Sequence, residues 1–157
     1  MFSGLEQKAI EEKFEQLKKV KEGRLTPKEL ADLITQRRAR WMEENLESVL
    51  PKYKLLAPEE RAYNIIFFDH MKINPAHSRM IRVSPEKIRI ESYNFCPYLE
   101  ACRFLGLDTR QVCKEIGEPS MQRVCEMVHP GLRFSRNYEN IRPQNSSFCE
   151  EYIELKK

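Results

Sequence analysis

Two regions in which apolar and polar residues alternate restrict most strongly what this chain can fold into. The first is "MIRVSPEKIRIESYNF", and the second consists of "LRFSRNYENI" and "FCEEYIEL", joined by the turn-rich "RPQNSS". Because successive side chains of a strand point to opposite sides of a sheet, each region predicts a β-hairpin. The stretch between them has helical periodicity. We therefore expect an α+β fold: an antiparallel sheet of about four strands, made of two hairpins, with a helical crossover covering one face.

Three helix starts divide the crossover. Pro97 opens "PYLEACRFLGL", Asp108 caps "TRQVCKEIG" and Pro119 opens "PSMQRVCEMV". Proline suits the first turn of a helix, and an aspartate at the cap accepts a hydrogen bond from the free N–H groups there. Gly106 is placed to end the first of these helices. The crossover therefore predicts three short helices, which together carry three of the five cysteines.

The first third of the chain predicts two N-terminal helices. Apolar residues recur at steps of three and four over residues 5–20, and Thr26 with Glu29 forms a capping box that starts a second helix reaching about residue 50. Residues 58–71 fit both a strand and a helix, and a proline followed by two glutamates favours the helix. We expect a helical N-terminal arm or subdomain over residues 1–56 and an α+β, cysteine-containing domain over residues 57–157.

Composition excludes several classes of protein. The chain has 157 residues, 41% of them hydrophobic, which suffices for one well-packed core. Its 27 basic residues are interleaved with 24 acidic ones and form no stripe that would bind nucleic acid. No run approaches the roughly 20 apolar residues of a membrane span, and the N-terminus lacks the apolar core of a signal peptide. We expect a cytoplasmic protein without nucleic-acid or membrane partners.

The segment "RRARW", residues 37–41, combines arginine with an aromatic ring, as nucleic-acid-binding surfaces do. We favour a structural interpretation, because Trp41 shares a helical stripe with Leu33, Ile34 and Leu46 and the following "MEEN" cancels the charge. A helix pair that is so polar outside its stripe is also a candidate dimerisation arm. A homodimer through the N-terminal helices therefore remains open.

The five cysteines are odd in number and widely spaced, which predicts free thiols, a metal site or catalysis in preference to a disulfide framework. Cys96 lies where a strand ends and a helix begins, and the helix dipole there favours a thiolate that could act as nucleophile or metal ligand. A neutral cysteine capping the helix is the equal alternative. Cys102 is expected in the core. Cys113 and Cys125 lie in the following helices and could return to the same end of the sheet, while Cys149 lies on the last strand beside Glu150 and Glu151.

The metal signal is weak, because the chain has neither the tight Cys or His pairs typical of zinc sites nor the clustered cysteines typical of iron–sulfur sites. A zinc or iron ion held by Cys96, Cys113 and Cys149 stays a hypothesis, and the cofactor is otherwise unknown. Among the histidines, His129 is the best catalytic candidate, since it lies at a helix end close to the cysteine-bearing helices. His70 is expected on a helix.

Three arginines near the last hairpin are candidates for binding an acid. Arg133 and Arg136 lie an odd number of residues apart, so they point to opposite faces of a strand, and Arg142 follows the strand. An arginine holds a carboxylate with two parallel hydrogen bonds. The alternative is ion pairing with nearby carboxylates, namely Glu139, Glu150 or Glu151.

The segments "NFCPYLEACRFLGLDTRQVCK", "HPGLRFSRNYENIRP" and "FCEEYIEL" together resemble the L-2-amino-thiazoline-4-carboxylic acid hydrolase-like family and, more distantly, 4-vinyl reductase-type small-molecule-binding domains. The resemblance implies an α+β fold with a pocket between the sheet and the crossover. It places Cys96, Cys113 and Cys149 at three cysteines of the family. The zinc site of the reductase-type relatives does not carry over, because Glu139 has no partner cysteine at the matching place.

Two functions follow as hypotheses. The first is a hydrolase of a carboxylate-bearing heterocycle or amide, with Cys96 as nucleophile or metal ligand, His129 or Glu118 moving the proton, and an arginine among Arg133, Arg136 and Arg142 holding the substrate. The alternative is a small-molecule or metal-binding sensor or binding module without catalytic activity. Its apolar pocket would be lined by Phe95, Phe104, Phe134 and Phe148.

Overall fold

The computed structural model describes residues 1–143 and 146–156 and has the predicted α+β architecture. Two helices come first, one hairpin precedes the helical crossover, and the second hairpin follows it. In chain order, the elements are α1 (Gly4–Lys21), α2 (Pro27–Val49), α3 (Pro58–Tyr63), β1 (Ser78–Ser84), β2 (Lys87–Ser92), α4 (Pro97–Leu105), α5 (Thr109–Val112), α6 (Glu118–Val128), β3 (Leu132–Arg136) and β4 (Cys149–Leu155).

The helices begin and end where local chemistry predicts. The Glu29 N–H donates to Thr26 Oγ1 at 3.0 Å, and the Thr26 N–H donates to Glu29 Oε1 at 3.0 Å. Ser3 and Glu6 form the same reciprocal box at the start of α1. Each box satisfies backbone N–H groups that have no partner within the helix. At the end of α4, Gly106 adopts φ 68°, a left-handed conformation that favours glycine.

Two helices widen into π-helical turns. α3 continues as a π-helix over Asn64–His70, and α5 continues as one over Cys113–Gly117. The helix expected over residues 58–71 is therefore present, but its second half has the wider geometry, in which the Met71 N–H reaches Ile66 O at 2.9 Å. Sequence periodicity tests only for the 3.6-residue repeat, so it does not reveal this insertion.

The four strands form one antiparallel sheet in the order β1-β2-β4-β3. The two predicted hairpins join along β2 and β4, where Ile88 lies opposite Ile153 and Ile90 lies opposite Glu151. β2 ends at Ser92, four residues earlier than the sequence pattern predicts. The residues after Ser92 instead form the connection into α4.

The crossover covers one face of the sheet, as predicted. α6 and α3 pack on the inner face, and Met42 of α2 is buried in the same core. Arg136 and Glu151 lie directly opposite each other in the antiparallel pair of β3 and β4. Their side chains therefore point to the same inner face, at one end of the sheet. The apolar inner-face residues of the strands are Ile88, Ile90, Leu132, Phe134 and Ile153.

A second cluster joins the N-terminal helices to α4 and α5, and it contains Cys102, which is buried as predicted. Leu33 was expected on the Trp41 stripe but is 54% exposed. The buried stripe of α2 runs through residues 30, 31, 34 and 42, so Leu33 falls beside it. The division at residue 56 stays a prediction. In the described part of the chain, no helix combines the length and the apolar character needed to span a bilayer.

Candidate functional site

A cavity of about 810 Å³ lies where the N-terminal helices meet the crossover and one end of the sheet. Its walls come from α1, α2, the π-helical extension of α3, the connection into α4, and the ends of β3 and β4. A volume of this size lies within the range of small-molecule pockets, about 300–1,000 Å³. Much of the lining is apolar and includes Leu5, Ala9, Ile34, Phe67, Met71, Ile73, Phe95, Val112, Met121 and Ile141.

The charged side chains of the lining are predominantly basic. Six of them carry a positive charge and three carry a negative charge, so the cavity has a net positive field that favours an anion. The basic ones are Lys13, Arg37, Arg38, Lys72, Arg136 and Arg142, and the acidic ones are Glu6, Glu12 and Glu151.

The sheet contributes a paired charge, and we call Arg136 with Glu151 the sheet wall. Arg136 Nε donates to Glu151 Oε2 at 2.9 Å, and Arg136 Nη1 donates to the carbonyl oxygen of Cys113 at 3.0 Å. Burial works most strongly against the charge of Arg136, but Glu151, Cys113 and Tyr138 together outweigh it, and the net effect raises the pKa of Arg136. This guanidinium is therefore satisfied by the protein itself, which matches the ion-pair alternative expected for it.

The helices contribute three polar groups, Arg38, His70 and Tyr98, which we call the helix wall. Arg38 Nη1 donates to Met121 Sδ at 3.6 Å, and a thioether sulfur is a weak acceptor. Within residues 1–143 and 146–156, no carboxylate lies within ion-pair distance of Arg38. Desolvation lowers the pKa of Arg38 from its ordinary value. Its charge is thus held in the cavity wall without an ion-pair partner among the described residues.

The other two members of the helix wall, Tyr98 and His70, each have a polar atom without a hydrogen-bond partner in the described part of the chain. Tyr98 Oη and His70 Nδ1 are buried, and neither has a hydrogen-bond partner among the described residues. Burial raises the pKa of Tyr98 to about 12 and lowers the pKa of His70 to about 4, so both are neutral near pH 7. The Trp41 ring lies 4.6 Å from the His70 ring, and Lys13 Nζ lies 4.8 Å from the centroid of the Tyr98 ring.

Three cysteines, Cys96, Cys113 and Cys149, line the same cavity. Desolvation raises the pKa of Cys96, whereas the helix dipole predicted the opposite direction. Backbone hydrogen bonds at the start of α4 do favour the Cys96 thiolate, but the loss of water outweighs them. Desolvation also raises the pKa of Cys113 to about 12. Desolvation thus opposes the thiolate expected at Cys96 and favours the neutral cysteine that was its equal alternative.

The three cavity cysteines do not converge on a metal. No set of three or more His, Cys, Asp or Glu side chains within residues 1–143 and 146–156 is arranged to hold a metal ion. Structural zinc needs converging ligands about 2.0–2.3 Å from the ion. Cys96, Cys113 and Cys149 thus share the cavity as separate thiols, and Cys149 instead accepts a hydrogen bond from Arg142 Nε at 3.3 Å.

The predicted acid–base residues lie elsewhere in the structure. His129 ends α6, where its Nδ1 accepts a hydrogen bond from the Gly131 N–H at 3.2 Å. Glu118 begins α6 and accepts a hydrogen bond from the Tyr138 hydroxyl at 2.9 Å. Neither lines the cavity with Cys96. Both residues are near the cysteines along the chain, but they lie at the two ends of α6 and outside the cavity.

Arg133 and Arg136 lie on opposite faces of β3, as the strand pattern indicates. Arg133 is exposed and donates to the carbonyl oxygens of Leu132 and Pro130, whereas Arg136 faces the cavity. Arg142 also lines the cavity and donates from Nη1 to Asn94 O at 2.7 Å. Arg142 therefore stays a candidate for ligand binding.

The predicted phenylalanine pocket does not form. Phe95 lines the cavity, but Phe104 is 70% exposed and Phe134 is in the core. Phe148 lies at a separate surface depression beside Tyr93. Alternation places these rings on strands and helices, but it does not specify which of them meet.

Sequence reasoning missed Arg38 and Tyr98 and gave His70 little weight. One signal was present, because Ile34, Arg38 and Met42 follow one another at four-residue steps on α2. Ile34 and Met42 are both buried, so the arginine interrupts the packed stripe of an amphipathic helix. A charge at such a position indicates a binding site.

Comparison with known proteins reveals the fold but no family. No protein-family model and no curated protein matches the chain. A solved structure of a trafficking protein particle complex subunit 3 from Naegleria fowleri, covalently bound to palmitic acid, is similar in fold. The two share 15% sequence identity with a TM-score of 0.56, over 97% of this chain and 95% of that chain.

This likeness corrects the family expectation. The resemblance to the thiazoline-carboxylate hydrolase-like family is wrong, since the chain has the fold of a trafficking-complex subunit along almost its full length. The hydrolase prediction is wrong with it, and its proposed catalytic groups are not assembled in one place. The motifs that suggested the family reflect the order of strands and helices along this part of the chain. Unrelated families can have the same order.

Proposed function

We propose that this chain is a non-catalytic binding module that holds a lipid-like small molecule in its interior cavity. The observation that carries the proposal is the cavity itself, whose lining is largely apolar. Apolar pockets of this volume take small molecules by removing their surface from water, at about 25 cal/mol for each Å² of apolar surface.

The chemistry of the lining also supports binding over catalysis. A nucleophile needs a low pKa or an adjacent base, yet desolvation raises the pKa of Cys96 and His129 lies outside the cavity. The structural neighbour carries covalently bound palmitic acid, which supports an acyl chain as the kind of molecule that such a fold accommodates.

The proposal includes a protein partner. The structural neighbour is a subunit of a complex, and large apolar side chains are exposed on three helices of this chain: Leu5 at 84%, Leu33 at 54% and Phe104 at 70%. Exposed apolar groups of this kind favour association. A second copy bound through the N-terminal helices is one form of this proposal. A cytoplasmic location also remains part of the proposal and agrees with five free cysteines.

A fluorescent apolar probe, Nile red, tests the binding function. We expect it to bind the purified chain and to be displaced by a fatty acid. Ala9→Trp, which places a large ring in the lining, should weaken probe binding about 10-fold or more. Lys8→Trp adds the same ring on an exposed position of α1 outside the cavity and should leave binding unchanged.

Two further measurements complete this test. Circular dichroism establishes that both tryptophan variants are folded. Intact-mass measurement before and after hydroxylamine treatment distinguishes a thioester-linked acyl chain from a dissociable ligand. Equal probe binding by all three proteins, together with no lipid in extracts of the wild type, would refute the proposed function.

A further inference from the structure

The helix wall contains a charge that the fold does not neutralise. Arg38 lies in line with the buried Ile34 and Met42 on α2, where an apolar side chain would pack without a desolvation cost. A desolvated charge without an ion-pair partner tends to destabilise a protein. A charge kept at such a position points to a partner that binds from outside the chain.

The carboxylates that could serve Arg38 from within the cavity are already occupied. Glu12 forms an ion pair with Arg37, the residue that precedes Arg38 on α2. Glu151 is bound by Arg136 at 2.9 Å. Glu6 belongs to the capping box at the start of α1, where it accepts from the Ser3 N–H at 2.9 Å.

Two neutral polar groups of the same cavity also lack a hydrogen-bond partner among the described residues. Tyr98 Oη and His70 Nδ1 are both buried, and both are without a hydrogen-bond partner in the described part of the chain. Arg38 is near enough to both rings for its charge to lower the pKa of each, with burial as the larger influence on both. Three groups of one cavity, on three different helical segments, are therefore incompletely paired among the described residues. Arg38 lacks a carboxylate, and Tyr98 and His70 lack a hydrogen-bond partner.

We propose that Arg38, Tyr98 and His70 form a carboxylate-binding subsite, which holds the acid head of a ligand whose apolar body occupies the rest of the cavity. This inference rests on the proposed function and names the ligand class: a free, reversibly bound carboxylic acid with a long apolar chain. A guanidinium presents two parallel N–H groups that match the two oxygens of a carboxylate. The Tyr98 hydroxyl donates to a remaining lone pair.

The test compares ligands that differ only in the head group. Dodecanoic acid, 1-dodecanol and dodecyl phosphate compete against Nile red on the wild type, on Arg38→Met and on Arg40→Met. We expect the wild type to bind the acid about 10- to 100-fold more tightly than the alcohol, the range of a charge-assisted hydrogen bond. Arg38→Met should lose most of this preference and keep its affinity for the alcohol.

Arg40→Met is the matched control, because Arg40 is an exposed arginine on the same helix α2 and does not line the cavity. Its acid preference should equal that of the wild type. Tyr98→Phe removes only one hydroxyl and should reduce the preference about 3- to 10-fold, which tests the subsite even if Arg38→Met does not fold.

The outcomes separate this inference from the proposed function. If neither acid nor alcohol displaces the probe, or if the probe does not bind, both proposals are wrong. Equal affinity for acid and alcohol in the wild type would refute the subsite and leave the binding function intact. Tighter binding of dodecyl phosphate than of dodecanoic acid would refute the carboxylate and identify a phosphate head. An acyl adduct in place of reversible binding would also contradict the inference.

Discussion

The sheet wall and the helix wall of the cavity each carry a desolvated guanidinium, but only one has a carboxylate partner. Arg136 is bound by Glu151 at 2.9 Å, and although burial opposes its charge, Glu151 and its other neighbours together raise its pKa. Arg38 has only a sulfur contact at 3.6 Å, and desolvation lowers its pKa. The two arginines share a cavity and differ in whether the fold itself completes their hydrogen bonding.

This difference distinguishes an arginine with a structural role from an arginine that is available to bind a ligand. Arg136 and Glu151 lie opposite each other on β3 and β4, so their pair also ties the last strand to its neighbour. Within the described residues Arg38 forms no comparable ion pair, and Tyr98 Oη and His70 Nδ1 have no hydrogen-bond partner there. We infer that the sheet wall maintains the cavity, whereas the helix wall is available to a ligand.

The largest expected effect comes from breaking the sheet wall. Glu151→Ala leaves Arg136 desolvated and unpaired, so we expect the free energy of unfolding to fall by about 3–5 kcal/mol. Urea unfolding monitored by circular dichroism measures the change. The double variant Arg136→Met/Glu151→Leu should recover most of the loss, since it removes both charges. A loss below about 1 kcal/mol in Glu151→Ala would contradict the structural role of this pair.

A smaller effect is expected from the pH dependence of the helix wall. Burial lowers the pKa of His70 from 6.5 to about 4, so between these values the unfolded chain binds a proton that the folded chain excludes. Stability should therefore fall as the pH decreases from about 6.5 toward 4. Because the ring is partly exposed, we expect about 1–2 kcal/mol after allowing for screening.

The control for this prediction is His70→Gln, which cannot titrate. Its stability should change less than that of the wild type over the same pH range, as measured by thermal unfolding at a series of pH values. Carboxylates whose pKa is lowered by ion pairing, such as Glu12, are present in both proteins, so their contribution cancels in this comparison. Identical pH profiles for the two proteins would show that His70 is not desolvated.

The smallest effect is expected for Arg38 in the ligand-free protein. Arg38→Met removes a charge without a partner and retains much of the apolar side chain, so stability should stay the same or rise by about 1 kcal/mol. Arg136→Met on the sheet wall is the comparison and should destabilise the protein. If both variants lose more than about 2 kcal/mol, Arg38 has a structural partner and the distinction between the walls fails.

Much of the fold was predictable, because its signals are local. The capping box at Thr26, the left-handed Gly106 and the alternating hairpins predicted the helices, the strands and the α+β class. The π-helical turns were not predictable, since their hydrogen bonding has no fixed residue pattern. The sheet order followed from joining two hairpins, but the register that sets Arg136 opposite Glu151 required the structure.

The site was predicted in part. Cys96, Cys113 and Cys149 line one cavity at one end of the sheet together with Arg136 and Arg142, whereas Cys125, which could have returned to the same end of the sheet as Cys113, is buried in the core. The hydrolase chemistry built on Cys96 is wrong, and its helix-dipole argument took no account of desolvation, which raises the pKa of this thiol. His129 and Glu118 were chosen for their closeness along the chain, and a helix separates such residues in space.

The sequence by itself determined which segments are helices and strands and which residues carry charge, since backbone preference, capping and periodicity act over a few neighbouring residues. Only the tertiary structure decided which charges are paired. Arg136 and Arg38 are the same side chain in the sequence, and what differs is the partner brought to each by residues far away in the chain. Desolvation and pairing depend on everything packed around a group, so the candidate ligand site became visible only in the folded protein.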